Sequence, residues 1–173
     1  MPEIQKRQAS IERLSELIKG IRFAMLTTVG EHGVLHSRPM YTQEMNEDGE
    51  LWFFTYSDSL KVSEVEHDQH VNVSYADPDK NRWVSVAGRA RVVRDRAKME
   101  SLWRPTLRAW FPKGLEDPNI ALLRVQVESA EFWDHPSGRM VQLIGLARAL
   151  VTGKSASDVF EVGHLELTDQ PGS

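Results

Sequence analysis

The 173-residue sequence has no cysteine. Disulfides and thiolate metal sites are therefore excluded, which fits a cytoplasmic protein. No apolar run approaches the ~20 residues that a bilayer-spanning helix needs. The start, Met1-Pro2-Glu3-Ile4-Gln5-Lys6-Arg7, lacks the apolar core of a secretion signal, so no membrane partner is expected. Net charge is −4 by formal count, and a nucleic-acid partner would need a local basic patch. The one cluster, Arg89, Arg91, Arg94 and Arg96, has no interleaved exposed aromatics and is balanced by acids between Asp95 and Glu100. It reads as a solvated strand end, with no nucleic-acid partner. There is no Gly-x-Gly-x-x-Gly fingerprint, no Gly-x-Ser-x-Gly elbow and no phosphate loop. His67-Asp68-Gln69-His70 has a metal-like histidine spacing but no third ligand nearby in sequence, so two solvated histidines are expected and no metal.

What is present is a chain of ordinary composition, 40% hydrophobic and 27% charged, long enough for one domain with a real core. Ile11, Leu14, Leu17, Ile18 and Ile21 recur at helical spacing and predict a helix over Ser10–Ile21, with Ser10 as cap and Gly20 near its stop. Strands follow at Phe23–Val29, Val34–Tyr41 and Leu51–Tyr56, joined by Gly30–Gly33 and Asn46–Gly49, in an order that suggests an antiparallel meander. Leu60–His67 reads as a short helix. A fourth strand carries Val71, Val73 and Tyr75. Trp83–Val93 is a fifth, with Gly88 marking a bend or bulge. Asp95 opens another helix, interrupted at Pro105. Ala121–Val127 is a sixth strand, extended by Glu131–Asp134. Gln142–Thr152 is ambiguous and leans to helix. Residues 1–153 form one domain and 154–173 a polar, loose tail. The class is mainly β with helices: a six-stranded, closed or nearly closed antiparallel barrel.

The informative stretch is Arg38 to Lys61. On the strand Val34–Tyr41, His36, Arg38 and Met40 share one face and Leu35, Ser37, Pro39 and Tyr41 the other. Pro39 cannot donate to a ladder, so this strand end belongs at an edge. If Ser59 caps the helix that follows, the amides of residues 60–62 point off its end at an anion site. Lys61 in that first turn opposes the dipole unless an anion sits between. Each charge-assisted bond contributes roughly 1.5–3 kcal/mol, so Arg38, Lys61 and a hydroxyl suffice for a phosphate. Taken singly, Arg38 reads more often as a solvated arginine, and Lys61 reads as readily as a surface lysine as an anion ligand. Trp52, Phe53 and Phe54 read as core as easily as ring contacts. Together they suit a flat aromatic cofactor with a phosphate tail, with the backbone at Phe54 and Thr55 beside its ring.

Phe23-Ala24-Met25-Leu26-Thr27-Thr28, Ser37-Arg38-Pro39-Met40, Leu51-Trp52-Phe53-Phe54-Thr55, Ser59-Leu60-Lys61, Trp83 to Ala90, Leu122-Leu123-Arg124-Val125 and Glu131-Phe132-Trp133-Asp134 come in an order and spacing that resembles the pyridoxamine 5′-phosphate oxidase-related FMN-binding split barrels. Within them the chain is similar to the bacterial general stress protein 26 type. The resemblance spans about residues 10–150. It implies a homodimer of split barrels with flavin at the interface. Arg38 and Lys61 would hold the FMN phosphate with Ser59 assisting. Pro39, Met40, Tyr41, Phe54 and Thr55 would line the isoalloxazine. Trp83 would stand near the flavin, Trp133 would approach from the partner subunit, and Trp110 would border the open face.

The vitamin B6 oxidases of that family complete their site with an arginine-rich C-terminal segment bearing Arg-x-His. Nothing like it follows Trp133, so oxidation of pyridoxamine 5′-phosphate is not expected. The resemblance implies a flavin-dependent oxidoreductase taking NAD(P)H or another small-molecule donor. The alternatives are a flavin-binding protein that stores or senses flavin under stress without turnover, and the same barrel holding a deazaflavin or tetrapyrrole. FMN is the expected cofactor, with FAD possible.

Overall fold

A computed structural model describes residues 3–43, 45–134 and 161–168. Helix α1 spans Glu3–Ile18 and strand β1 Phe23–Val29; β2 is Leu35–Tyr41 and β3 Glu50–Tyr56; α2 is Leu60–His67. Then come β4 (His70–Asp77), β5 (Arg82–Val93), α3 (Arg96–Leu102), a 3₁₀ segment at Pro105–Ala109, β6 (Ile120–Asp134) and β7 (Glu161–Glu166). The predicted strands and α2 fall within a residue or two of these limits. The Gln142–Thr152 expectation lies outside the described residues.

Three expectations are corrected. The first helix starts at Glu3, so Ser10 is an interior residue and not a cap. Residues 3–10 are mostly strong helix formers without an apolar stripe, so propensity extends the helix where periodicity gives no sign. The meander fails at its third strand. β1 pairs with β2 and β4, whereas β3 pairs with β6, giving the order β2-β1-β4-β5-β6-β3. Hydrophobic alternation specifies a strand's face but not its neighbour. The tail after 153 is not wholly loose, because β7 joins β6 as a seventh strand. Leu167, just beyond it, is buried in the core.

The sheet is antiparallel throughout the described pairings and curls into a split barrel. Inward residues of each strand, among them Leu26, Phe53, Val73, Val86, Leu123 and Val125, form the main core, and α1 packs Ile11, Leu14 and Leu17 against it. A bulge between Ala87 and Gly88 shifts the β5–β6 register. An alanine Cβ at Gly88 would stand 2.4 Å from the Gln126 carbonyl oxygen, so only glycine lets the two backbones approach this closely. β3 is buried on both faces. Phe53 enters the barrel, while Trp52 and Phe54 join Met99, Leu107, Phe111 and Leu122 in a second cluster under α3 and the 3₁₀ segment. β2 and β3, the two ends of the strand order, are not bonded to each other. That seam is the split in the barrel, and it leaves backbone edges free.

Candidate functional site

A cleft of ≈ 320 Å³ lies along the seam. β2 contributes Arg38, Pro39, Met40 and Tyr41; β3 contributes Phe54, Thr55 and Tyr56; α2 contributes Lys61. Both faces of β2 are represented, as they must be where a strand edge forms the wall. Pro39 sits on that edge, where its missing N–H costs no ladder bond. Phe23, Trp110 and Phe111 complete the rim. Tyr41 lies 5.0 Å from Trp110 and 5.5 Å from Phe23, ring centre to ring centre. The Tyr56 hydroxyl donates to the Trp110 carbonyl at 3.2 Å, tying the 3₁₀ segment to β3.

Arg38 and Lys61, separated in sequence by a whole strand, thus border one cleft. Lys61 is held below the ordinary lysine value, first by burial and then by repulsion from Arg38, with Glu64 acting in the opposite sense. A lysine whose charge is disfavoured by burial and by a neighbouring guanidinium is prepared for an anion.

Ser59 stands at the N-cap of α2 with extended backbone, but its hydroxyl does not cap the helix. It donates to the Tyr56 carbonyl at 2.7 Å and lies 3.3 Å from the Thr55 hydroxyl. The amide of Val62 is taken by the Ser59 carbonyl at 3.0 Å, which corrects the expectation that residues 60–62 all offer free amides. Those of Leu60 and Lys61 remain in the unpaired first turn.

The sequence reading missed Glu64. This carboxylate is only 6% exposed. Its Oε2 accepts from Thr28 Oγ1 at 2.5 Å and from Arg38 Nη2 at 3.0 Å, and its Oε1 from His36 Nδ1 at 2.5 Å. Arg38 also donates through Nη1 to Thr28 Oγ1 at 2.5 Å and to the Leu26 carbonyl at 3.4 Å. Burial pushes the Glu64 carboxyl up, but the bonds from Thr28, His36 and Arg38 more than reverse this and leave it below its usual range. A guanidinium has five N–H donors. Three are engaged, and Nε–H and one Nη2–H remain for the cleft. The available signal was the alternation of β2. His36 and Arg38 on its inward face demand an acid, and Glu64 is one helical turn from Lys61.

Trp83 and Trp133 do not reach the cleft within one chain. They face each other in register across β5 and β6, on the outer side of the sheet. The basic cluster Arg89, Arg91, Arg94 and Arg96 is exposed as expected, with Arg89 paired to Glu128 at 2.7 Å.

Residues 9–157 match the family described as pyridoxamine 5′-phosphate oxidase like. Protein bli-3 of Neurospora crassa is 30% identical over 85% of this chain and 75% of its own length. The general stress FMN/FAD binding protein from Xanthomonas citri is 31% identical with a TM-score of 0.64, over 75% of this chain and 92% of that one. General Stress Protein 26 from Bacillus anthracis is 25% identical with a TM-score of 0.62, over 70% and 92% respectively.

Proposed function

The chain belongs to the pyridoxamine 5′-phosphate oxidase like family, and from that premise we propose that it binds FMN in the seam cleft. The observation that carries this is the meeting of Arg38 and Lys61 on one cleft whose other walls are aromatic. The free N–H groups of Arg38 and the Lys61 ammonium hold the phosphate, with the Ser59 and Thr55 hydroxyls beside them. Pro39, Met40 and Tyr41 on one edge and Phe54 and Thr55 on the other line the ring. The name of the Xanthomonas citri neighbour, an FMN/FAD binding protein, supports the same reading and keeps FAD as the alternative nucleotide.

The working form in this proposal is a homodimer. The outer sheet face exposes Phe23, Met25, Leu35 and Trp83, and a second copy would cover them. Trp133 and Trp83, which cannot reach their own cleft, would then border the partner's.

A bound flavin supplies hydride and single-electron transfer. The role of the chain's residues is to hold it and control access. The reading is a flavin-dependent oxidoreductase drawing on NAD(P)H or another small-molecule donor. One observation favours the second reading, a flavin store or sensor: no carboxylate and no histidine borders the cleft among the described residues, so neither of the commonest proton-transfer groups is placed beside the ring.

The visible spectrum of the purified protein tests the proposal first. A flavin spectrum, with FMN released on denaturation at about one per chain, is expected. A colourless protein that takes up no added FMN, or one carrying a tetrapyrrole or deazaflavin spectrum, would overturn it. Turnover of NADH or NADPH with common acceptors then separates enzyme from store. Rates equal to those of free flavin favour the store.

A further inference from the structure

Glu64 stands between two clefts. On one side its Oε2 accepts from Arg38 Nη2 at 3.0 Å, and Arg38 borders the seam cleft. On the other its Oε1 accepts from His36 Nδ1 at 2.5 Å. His36 and Glu64 both border a second cleft of ≈ 390 Å³ that shares no lining residue with the seam. The turn after β1 leaves room for this pair: a Cβ at Gly30 would stand 2.9 Å from His36 Cε1 and 3.2 Å from Glu64 Oε1. An ionised carboxylate only accepts, so Nδ1 carries the proton and Nε2 is the nitrogen that can gain one. The His36 side chain is 44% exposed, so that proton exchanges with bulk water.

Histidine is the side chain whose charge changes between about pH 5 and 8. Glu64 stays ionised over that interval, because burial is outweighed by the bonds from Thr28, His36 and Arg38. The other groups facing His36 are Arg38 on its own strand, His67 on α2 and Glu31 in the turn, while β1 sets the uncharged Thr28 opposite it. Glu31 favours a charged imidazole and a charged His67 opposes it, but both are exposed and act less than Glu64 in direct contact. The more of the Glu64 charge that His36 offsets, the less of it opposes a phosphate at Arg38. A neutral His36 offsets part of it through its Nδ1–H bond, and a protonated one adds a full positive charge. We propose that His36 is a positioning residue for the phosphate site: through Glu64 it sets how much of the Arg38 charge is available to the flavin phosphate, and its protonation strengthens phosphate binding. This rests on the flavin reading of the seam cleft.

Fluorescence titrations with FMN and riboflavin test it on the wild type, His36→Ala and His36→Asn. The ratio of the two affinities isolates the phosphate. At neutral pH, His36→Ala should lower the ratio about three- to tenfold. His36→Asn, whose amide can still donate to Oε1, should recover most of that loss. Between about pH 8 and 5.5 the wild-type ratio divided by the His36→Asn ratio should rise severalfold as pH falls. The division cancels the phosphate's own ionisation, which occurs at about pH 6. With Glu64→Gln already in place, His36→Ala should change the ratio much less. Riboflavin affinity reports that the variants fold, and if His36→Ala loses it, the pH series on His36→Asn decides alone. A ratio untouched by His36→Ala, a quotient flat with pH, or an equal effect with and without Glu64 would overturn the proposal and leave the flavin reading standing. A wild type that binds neither flavin would overturn both.

Discussion

The guanidinium of Arg38 donates to the buried carboxylate of Glu64 across 3.0 Å, and the same carboxylate receives Thr28 and His36. Breaking a buried pair by removing one partner typically costs 3–5 kcal/mol, because a charge is left uncompensated. Arg38 retains some solvent contact, which places the cost at the low end. Glu64→Ala is expected to destabilise the fold by about 3 kcal/mol, and Glu64→Gln by less, since the amide oxygen still accepts. Urea unfolding of the three proteins measures this.

The same carboxylate sets an acid limit. Its pKa in the fold lies below the ordinary value, so its stabilisation is present above the pKa of the unfolded chain, about 4.3. It is lost as pH falls through the depressed folded value. The stability gap between wild type and Glu64→Gln should therefore be full at pH 6–7 and narrow below about pH 4. A gap that stays constant on acidification would mean that the charge of Glu64 contributes nothing.

Lys61 gives the opposite kind of pH test. Its pKa is lowered by burial and by Arg38, and a phosphate favours the protonated form. FMN affinity should fall as pH rises through that lowered value, short of the ordinary lysine range. Riboflavin carries the same ring without the phosphate, so the ratio of the two affinities isolates the effect. Lys61→Ala and Arg38→Ala should each weaken FMN roughly tenfold or more and leave riboflavin nearly unchanged. Equal losses for both ligands would show that neither residue addresses the phosphate.

The sequence showed the strands and α2 plainly, because alternation and turn residues are local signals. It also placed Arg38 on one face of its strand with His36 and Met40, and Lys61 in a first helical turn, and the curl of the sheet brings them to one cleft. Three things stayed hidden. The pairing of β3 with β6 is non-local and leaves no mark on the alternation of Leu51 to Tyr56. Glu64 sits in a short helix where a carboxylate ordinarily faces solvent, and its burial follows only from what β1 and β2 place beneath it. Residues 161–168 are polar enough to read as a tail, although Leu165 and Leu167 alternate as a strand's inner face would.

Dimerisation can be tested on the outer face of β1. Met25 is exposed there, 42% by area, so a charge in its place should leave the monomer's fold intact. Met25→Asp is expected to shift sedimentation from dimer to monomer and to weaken FMN binding in parallel, because Trp133 and Trp83 then no longer border a partner's cleft. A variant that stays dimeric with full FMN affinity would remove this face from the interface.

The last prediction concerns the end of the chain. Leu167 is buried. Its amide donates to the Glu128 carbonyl at 2.8 Å, and its carbonyl accepts from Arg7 Nε at 2.9 Å. It therefore links β6, β7 and the N-terminal half of α1. If residues after 153 were a loose tail, Leu167→Ala would change nothing. If they belong to the core, the substitution leaves a cavity beside Ile11 and Gly49 and costs roughly 2–4 kcal/mol. At ~2–4 °C per kcal/mol for a chain of this size, the melting temperature should drop by about 5–15 °C. FMN affinity, measured well below that transition, should be unchanged, because neither β7 nor α1 borders the seam.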